Sequence, residues 1–160
     1  MTKALSVLAL CLLTGCSAYR LGGPQPTFTS LDIAPVHNTT NRPVANGLLQ
    51  QKLAESFAGD PRIKLGPGGA KLDTTITQFR RDGLTTKSTD AFFFTSFRLT
   101  FVVRCTLTNA DGKVLFRDRD FTSNATLRPI GNAAGEERSL DGPIFADLAA
   151  QIREAATTAW

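Results

Sequence analysis

Phe92-Phe93-Phe94-Thr95-Ser96-Phe97-Arg98-Leu99-Thr100-Phe101-Val102-Val103-Arg104-Cys105-Thr106-Leu107-Thr108 alternates with a period of two, and this alternation decides the fold. From Phe97 onward one side carries Phe97, Leu99, Phe101, Val103, Cys105 and Leu107; the other carries Arg98, Thr100, Val102, Arg104, Thr106 and Thr108. Successive side chains of a strand point to opposite faces, so this is one long β-strand with an apolar face and a polar, basic face. Such a strand needs a covering layer on one side only.

Asn109-Ala110-Asp111-Gly112 is a tight reversal, and Lys113 to Ala125 returns as a second long strand. With a four-residue loop, Thr108 faces Lys113, Leu107 meets Val114, Cys105 meets Phe116 and Arg117 stands opposite Arg104. Arg119 then joins the face that carries Arg98 and Arg104. Opposed like charges destabilise a ladder unless acidic groups or an anionic ligand neutralise them, which makes Arg98, Arg104, Arg117 and Arg119 candidates for holding an anion. This register also places Asp118 and Asp120 on the apolar side, which argues for a bulge beyond Phe116.

Outward from the hairpin, Ser30 to Val36 reads as a first strand, Arg62-Ile63-Lys64-Leu65 as a short second one, and Leu72 to Phe79, rich in β-branched threonines, as a third. Asn41 is positioned to cap a helix whose apolar stripe is Val44, Leu48, Leu49, Leu53 and Phe57, ending near Gly59. Pro143 opens a last helix with Ile144, Leu148, Ile152, Ala155 and Ala159 on one side. His37 to Asn41 reads as a polar turn, Asp82 to Asp90 as a mobile polar connector and Leu127 to Arg138 as a loop. The order predicts an α+β two-layer sandwich: a mostly antiparallel sheet of about four strands with two helices on one face.

The start of the chain speaks to address. Met1-Thr2-Lys3 is followed by the apolar run Ala4 to Leu13 and then Leu13-Thr14-Gly15-Cys16, a secretory signal ending in a lipobox. Residues 1–15 are therefore expected to be removed, Cys16 to carry diacylglycerol and a further acyl chain, residues 16–29 to form a Gly- and Pro-containing tether, and residues 30–160 to form one domain. Ser17 after the lipidated residue predicts the outer membrane, facing the periplasm. Cys11 leaves with the signal, so Cys105, on the apolar face, is the remaining thiol and is expected to be buried and inert.

Eighteen basic residues against 14 acidic ones, a formal net charge of +4, favour anionic partners without singling out nucleic acid. Enzymatic motifs are missing: no Gly-x-Ser-x-Gly, His-Glu-x-x-His or Cys-x-x-Cys occurs. His37 is the single histidine and has no ligand-spaced companions, so no metal or cofactor is expected. The Gly66-Pro67-Gly68-Gly69 tetrad lacks a following Gly-Lys-Ser or Gly-Lys-Thr and reads as a loop. Asn38-Thr39-Thr40 reads as a chance glycosylation pattern, and Glu136-Glu137 beside Arg138 as a solvated pair.

Four stretches resemble the LptE lipoproteins of lipopolysaccharide assembly. Cys16-Ser17-Ala18-Tyr19-Arg20-Leu21-Gly22-Gly23 is similar to the family's lipidated start with one extra residue. Ile33-Ala34-Pro35-Val36-His37-Asn38-Thr39-Thr40 is similar to its Pro-x-x-Asn-x-Thr end of the first strand, Leu72 to Arg81 to its third strand, and Gly112-Lys113-Val114-Leu115-Phe116 to its last hairpin. The resemblance implies a non-enzymatic outer-membrane lipoprotein seated in an LptD-like β-barrel, helping to assemble it and to receive lipopolysaccharide, with no role on nucleic acid. The Arg98, Arg104, Arg117 and Arg119 assignment rests on strand facing and not on the family. The alternative is a periplasmic accessory lipoprotein that regulates a cell-wall synthase or secretion channel, which the short tether disfavours.

Overall fold

A computed structural model describes residues 26–87 and 89–158. The signal segment, Cys16, most of the tether and Ala159 lie outside the described residues. The domain is a six-stranded mixed sheet with its helices on one side. Its strands are β1 (Ser30–Ile33), β2 (His37–Asn38), β3 (Lys64–Leu65), β4 (Ala70–Lys87), β5 (Asp90–Thr108) and β6 (Val114–Leu127). The helices are α1 (Ala45–Ala58), α2 (Ala133–Ser139) and α3 (Asp141–Thr158). The order across the sheet is β3-β1-β4-β5-β6, with β2 also against β4.

The α+β layering follows the sequence expectation, but the sheet is larger and less antiparallel than expected. β1 runs parallel to both β3 and β4, and β2 runs parallel to β4. The reason is α1: a helix between two strands of one sheet carries the chain back to the starting end, so the next strand runs the same way. After β3 the chain passes the beginning of β1 to enter β4 on its other side. Gly69 makes this crossing, where a Cβ would collide with the Ser30 carbonyl. The short loop is thus a steric requirement for glycine.

Alternation along β5 is as the sequence indicates: Leu99, Phe101, Val103, Cys105 and Leu107 are fully buried. They pack with Leu31, Leu72 and Ile76 of the sheet against Leu49, Leu53 and Phe57 of α1 and Ile144, Phe145, Leu148 and Ile152 of α3. Phe101 sits between two rings, 4.8 Å from Phe79 and 4.7 Å from Phe145. Each such side chain contributes about 1.5–3 kcal/mol by leaving water, so this single layer supplies the domain's stability. Phe28 is buried too, so the core begins two residues before β1.

Several local expectations are corrected. Asn41 does not cap α1; Val44 occupies that position without a side-chain bond, and Asn38 instead organises the preceding turn. The stretch expected as a connector, 82–90, is strand through Lys87, because it pairs with β5 from Phe97 back to Asp90. Residues 133–139, expected in a loop, form α2, whose N-cap Asn132 accepts from Gly135 N. The β5–β6 register is also shifted. Thr108 pairs with Val114, Leu107 with Phe116 and Cys105 with Arg119, so the ladder gains one residue on either side of Phe116. The bulge anticipated beyond Phe116 is present, with Asp118 at φ 49°, and a second lies before it.

Candidate functional site

The uncovered sheet face is built from the even positions of β5 and their register partners. Arg98 lies between Asp82 and Thr126, Thr100 between Arg80 and Asn124, and Arg104 between Thr75 and Asp120. Together with a turn one residue longer than expected, the two bulges bring Asp120 opposite Arg104 where Arg117 was expected. Arg104 donates from Nε to Asp120 Oδ1 at 2.8 Å and from Nη2 to Oδ2 at 3.0 Å. That hydrogen bonding lowers the carboxyl's pKa and raises the guanidinium's. Arg80 and Arg98 have no carboxylate within ion-pair distance among the described residues.

The other two arginines leave this face. Arg119 pairs with Cys105 and so lies on the helix side, its guanidinium 5.3 Å from the Phe121 ring, in a recess with Gln151 and Glu154 of α3. Arg117 is exposed within the bulge, where Asp118 N donates to Thr106 Oγ1 at 3.1 Å. The expected row of four guanidiniums therefore reduces to Arg98 and Arg104, with Arg80 added from β4. Arg80 escaped the sequence reading because a bulge between Ile76 and Gln78 re-phases β4.

A second cluster closes the end of the sheet away from the chain's entry. The Asn38 turn is tied internally: Nδ2 donates to Arg42 O at 2.6 Å, while Oδ1 accepts from Thr40 N at 2.9 Å and Thr40 Oγ1 at 2.8 Å. Thr39 N and Oγ1 both donate to Ile76 O, at 3.0 and 2.9 Å. The Asn-x-Thr pattern is thus a turn device, a short polar side chain substituting for backbone partners. It presents Arg42, whose Nη1 lies 3.0 Å from Glu137 Oε1 and whose Nη2 meets Asp141 Oδ1 at 3.0 Å. The same guanidinium sits 4.6 Å from the Phe79 ring. Arg81 stacks on Phe97 at 4.0 Å and lies 3.6 Å from Glu137 Oε2.

Glu137 is consequently buried and not part of a solvated pair. Its neighbour Glu136 accepts from Ile130 N at 3.0 Å and Gly131 N at 2.9 Å, fixing the loop after β6. Burial raises the Asp141 carboxyl's pKa, while Arg42 opposes that shift and Glu137 reinforces it.

Beyond this cluster the β4–β5 hairpin overhangs the sheet. β6 stops at Leu127 opposite Phe97, while β5 begins at Asp90. Those seven residues make an overhang of about 20 Å at ~3.3 Å per residue. Two-stranded ribbons are marginal alone. This one is braced by Thr85 Oγ1, which bonds Ser96 Oγ at 2.6 Å and Thr95 Oγ1 at 2.8 Å, and by Phe94, whose ring covers Gly83. Leu84 and Phe94 remain about two-fifths exposed, and Ile130, on the fixed loop beside the overhang, is 96% exposed. Val44 is exposed at the same end. Four of the five exposed large apolar side chains among the described residues thus gather here, the fifth being Leu65 of β3.

The sequence of this domain also matches a known family. The family model for LptE, described as lipopolysaccharide-assembly, matches residues 28–156. The chain belongs to the LptE family. Among solved structures, an uncharacterized lipoprotein B from Nitrosomonas europaea is similar with a TM-score of 0.60 at 17% identity, over 87% of this chain and 90% of that one. The rare lipoprotein B from Shewanella oneidensis gives 0.52 at 10% identity over 79% and 92%. A minor lipoprotein from Acinetobacter baumannii gives 0.51 at 16% over 79% and 90%. No curated protein matches the chain. These likenesses show the fold, and the family match adds a lipoprotein of lipopolysaccharide assembly, a family without catalytic turnover. Among the described residues no helix is long and apolar enough to cross a membrane.

Proposed function

We propose that this LptE-family protein is held in the outer membrane by lipid on Cys16, faces the periplasm, and joins an LptD-like β-barrel as a non-catalytic partner that helps assemble it and receives lipopolysaccharide. The observation that carries this reading is the overhanging hairpin, where exposed Leu84 and Phe94 lie on the same two strands that bear Arg80 and Arg98. Apolar and cationic groups on one hairpin suit a partner with acyl chains and phosphates, and the planar guanidinium binds phosphate through paired hydrogen bonds. In this reading Arg98 and Arg80 meet lipid A phosphates first. Arg104 contributes only once Asp120 releases it, and Arg117 and Arg119, which point elsewhere, contribute least.

The test has two arms. Affinity purification of the lipidated protein from detergent-solubilised membranes is expected to recover an outer-membrane barrel; recovery of a cell-wall synthase or secretion channel instead would replace the proposal with the accessory-lipoprotein reading. Lipopolysaccharide binding is expected to weaken strongly for Arg98→Glu and for Arg80→Glu, and little for Arg119→Glu. Equal affinities for all three variants would remove the sheet face from the site.

A further inference from the structure

Among the described residues, Arg104 is the arginine of the open sheet face whose fork is already filled. Its Nε and Nη2 meet the two carboxylate oxygens of Asp120 side by side, which is the two-pronged arrangement a phosphoryl group would use. The pairing is a product of the fold's irregularity: without the longer turn and the two bulges, β6 would set Arg117 opposite Arg104 and leave the guanidinium open. The shifted register puts a carboxylate there instead. Both side chains are nonetheless about half exposed, 48% for Arg104 and 46% for Asp120. Pairs this exposed hold weakly, so an anion of higher charge can take the place of the carboxylate.

The surroundings set this position apart from the other cations of the face. Arg80 stands in register with Thr100, four residues along β5 from Arg104, and Arg98 is two residues further on. At ~3.3 Å per residue these backbone positions are about 13 and 20 Å away. The face thus carries an open position at Arg80 and Arg98 and a filled one at Arg104. Beside Arg104 the neighbours are polar and uncharged, Thr75 across on β4 and Thr106 next on the same side of β5, with His37 of β2 in register beyond Thr75. Apart from Asp120, the carboxylate whose charge reaches Arg104 is Asp118.

We infer that Asp120 is a built-in competitor that keeps an anion position on Arg104 closed until a phosphoryl-bearing ligand displaces it. The exchange is carboxylate for phosphoryl on the same two N–H donors, so the charge-assisted bonds to Arg104 are conserved and the released carboxylate passes into water. The competition makes Arg104 selective. An anion that bonds a guanidinium less well than a carboxylate does is refused, and a phosphoryl group, with more charge spread over three acceptor oxygens, is accepted. Because both positions lie along one strand, a ligand whose phosphoryl groups are spaced to reach both gains most. The closed position stands on the geometry of Arg104, while the choice of lipopolysaccharide as its ligand rests on the proposed function.

Two probes on the detergent-solubilised full-length lipoprotein test this. Inorganic pyrophosphate is titrated while the Arg104 Nε–H signal is followed by heteronuclear NMR; in Asp120→Asn the signal is expected to move at concentrations about two- to five-fold below those needed in the wild type, the range expected for an exposed pair. A signal that moves equally in both proteins, or in neither, overturns the proposal. Purified lipopolysaccharide is the second probe. Asp120→Asn is expected to bind it about two- to five-fold more tightly, and the gain is expected to vanish when Arg104→Gln is added. Asp73→Asn, which removes a carboxylate from the same face where it pairs with Lys71, is expected to give a smaller gain. An undiminished gain in the Arg104→Gln background would show a general effect of charge and overturn the proposal. A pyrophosphate response as expected, with no lipopolysaccharide bound by the wild type or by Asp120→Asn, would support the closed position, assign it to free phosphate and sink the lipopolysaccharide reading alone.

Discussion

Arg42 and Glu137 meet at 3.0 Å beneath the overhanging hairpin, joining the turn after β2 to α2. The carboxylate is shared with Arg81, and the Arg42 guanidinium is shared with Asp141, so three separate stretches of chain converge on one ionic cluster. Phe79 and Phe97 close it from the sheet side through their contacts with the two guanidiniums. Removing two charges from water is costly, and mutual pairing with good geometry is what offsets it.

Arg42→Ala is therefore expected to destabilise the domain by about 3 kcal/mol, the lower end for stripping one partner from a buried pair, since Arg81 stays near Glu137. Arg42→Lys keeps the charge but loses the fork that reaches both carboxylates, and should recover only part of the loss. Denaturant midpoints of the variants, read at constant slope, check both. An Arg42→Ala midpoint equal to wild type would show that the cluster adds nothing to folding.

Asp60 and Arg62 make the acid dependence testable. The Arg62 side chain and backbone N–H bond the Asp60 carboxylate, at 2.6 Å for Nη2 and 3.0 Å for the backbone, and hold its pKa down from 3.8 to about 2. A carboxyl held lower in the folded than in the unfolded chain adds stability above pH ~3.8 that disappears as pH falls toward ~2. Because Arg62 lies at the surface, the contribution is discounted to about 1 kcal/mol. Asp141 acts in the opposite sense: its raised pKa favours the folded state below the unfolded value, a benefit lost as pH rises through the folded one. Asp60→Asn should flatten the stability curve between pH ~4 and ~2, and a curve still parallel to wild type there would refute the assignment.

How much of this was legible in the sequence depends on the length scale of the cause. The covered face of β5 was readable because Leu99, Phe101, Val103, Cys105 and Leu107 obey a period set by the strand itself. The stripe along α3 was readable for the same kind of reason, with Ile144, Leu148, Ile152 and Ala155 all buried. The facing of Arg119 was not, since each one-residue slip flips every later side chain and three slips, one in the turn and one at each bulge, stand before it, while Arg117 sits inside the second bulge. Aspartates 118 and 120 on an expected apolar side were the available signal, and they marked one bulge but not its partner. Arg42, Arg81, Glu137 and Asp141 come together only through the tertiary fold, and no local spacing announces them. The overhang was hidden because Asp82-Gly83 and the polar run after it favour a connector; cross-strand pairing and the Phe94 ring over Gly83 override that preference.

Cys105 offers a direct readout of core integrity. Its thiol is buried, lies 3.7 Å from Thr74 Oγ1 and has a pKa pushed up to about 12 by loss of solvent. The thiolate is the reactive species, so a thiol reagent near neutral pH should leave Cys105 unmodified in the folded protein. Modification should appear along the denaturant curve together with the loss of secondary structure. Rapid labelling of the native protein would mean that the apolar layer between β5 and the helices opens far more readily than its packing indicates.

The hairpin overhang should separate binding from folding. Leu84 and Phe94 lie beyond the last residue of β6 and are about three-fifths buried, so replacing both with serine should loosen the ribbon they brace, at about 1–2 kcal/mol, while the core beneath β5 stays intact. Co-purification of the outer-membrane partner should nevertheless fall severalfold, because these residues are proposed to supply the apolar contact. Gly83→Ala provides an independent route to the same result: its new Cβ would displace the Phe94 ring while both original apolar side chains remain. The ring can swing outward into solvent, so Gly83→Ala should also fold, and it should lose partner binding in proportion to how far Phe94 is displaced. If the double serine variant and Gly83→Ala both retain full recovery of the partner, the overhang is not the contact, and the uncovered face around Arg98 would have to supply it alone.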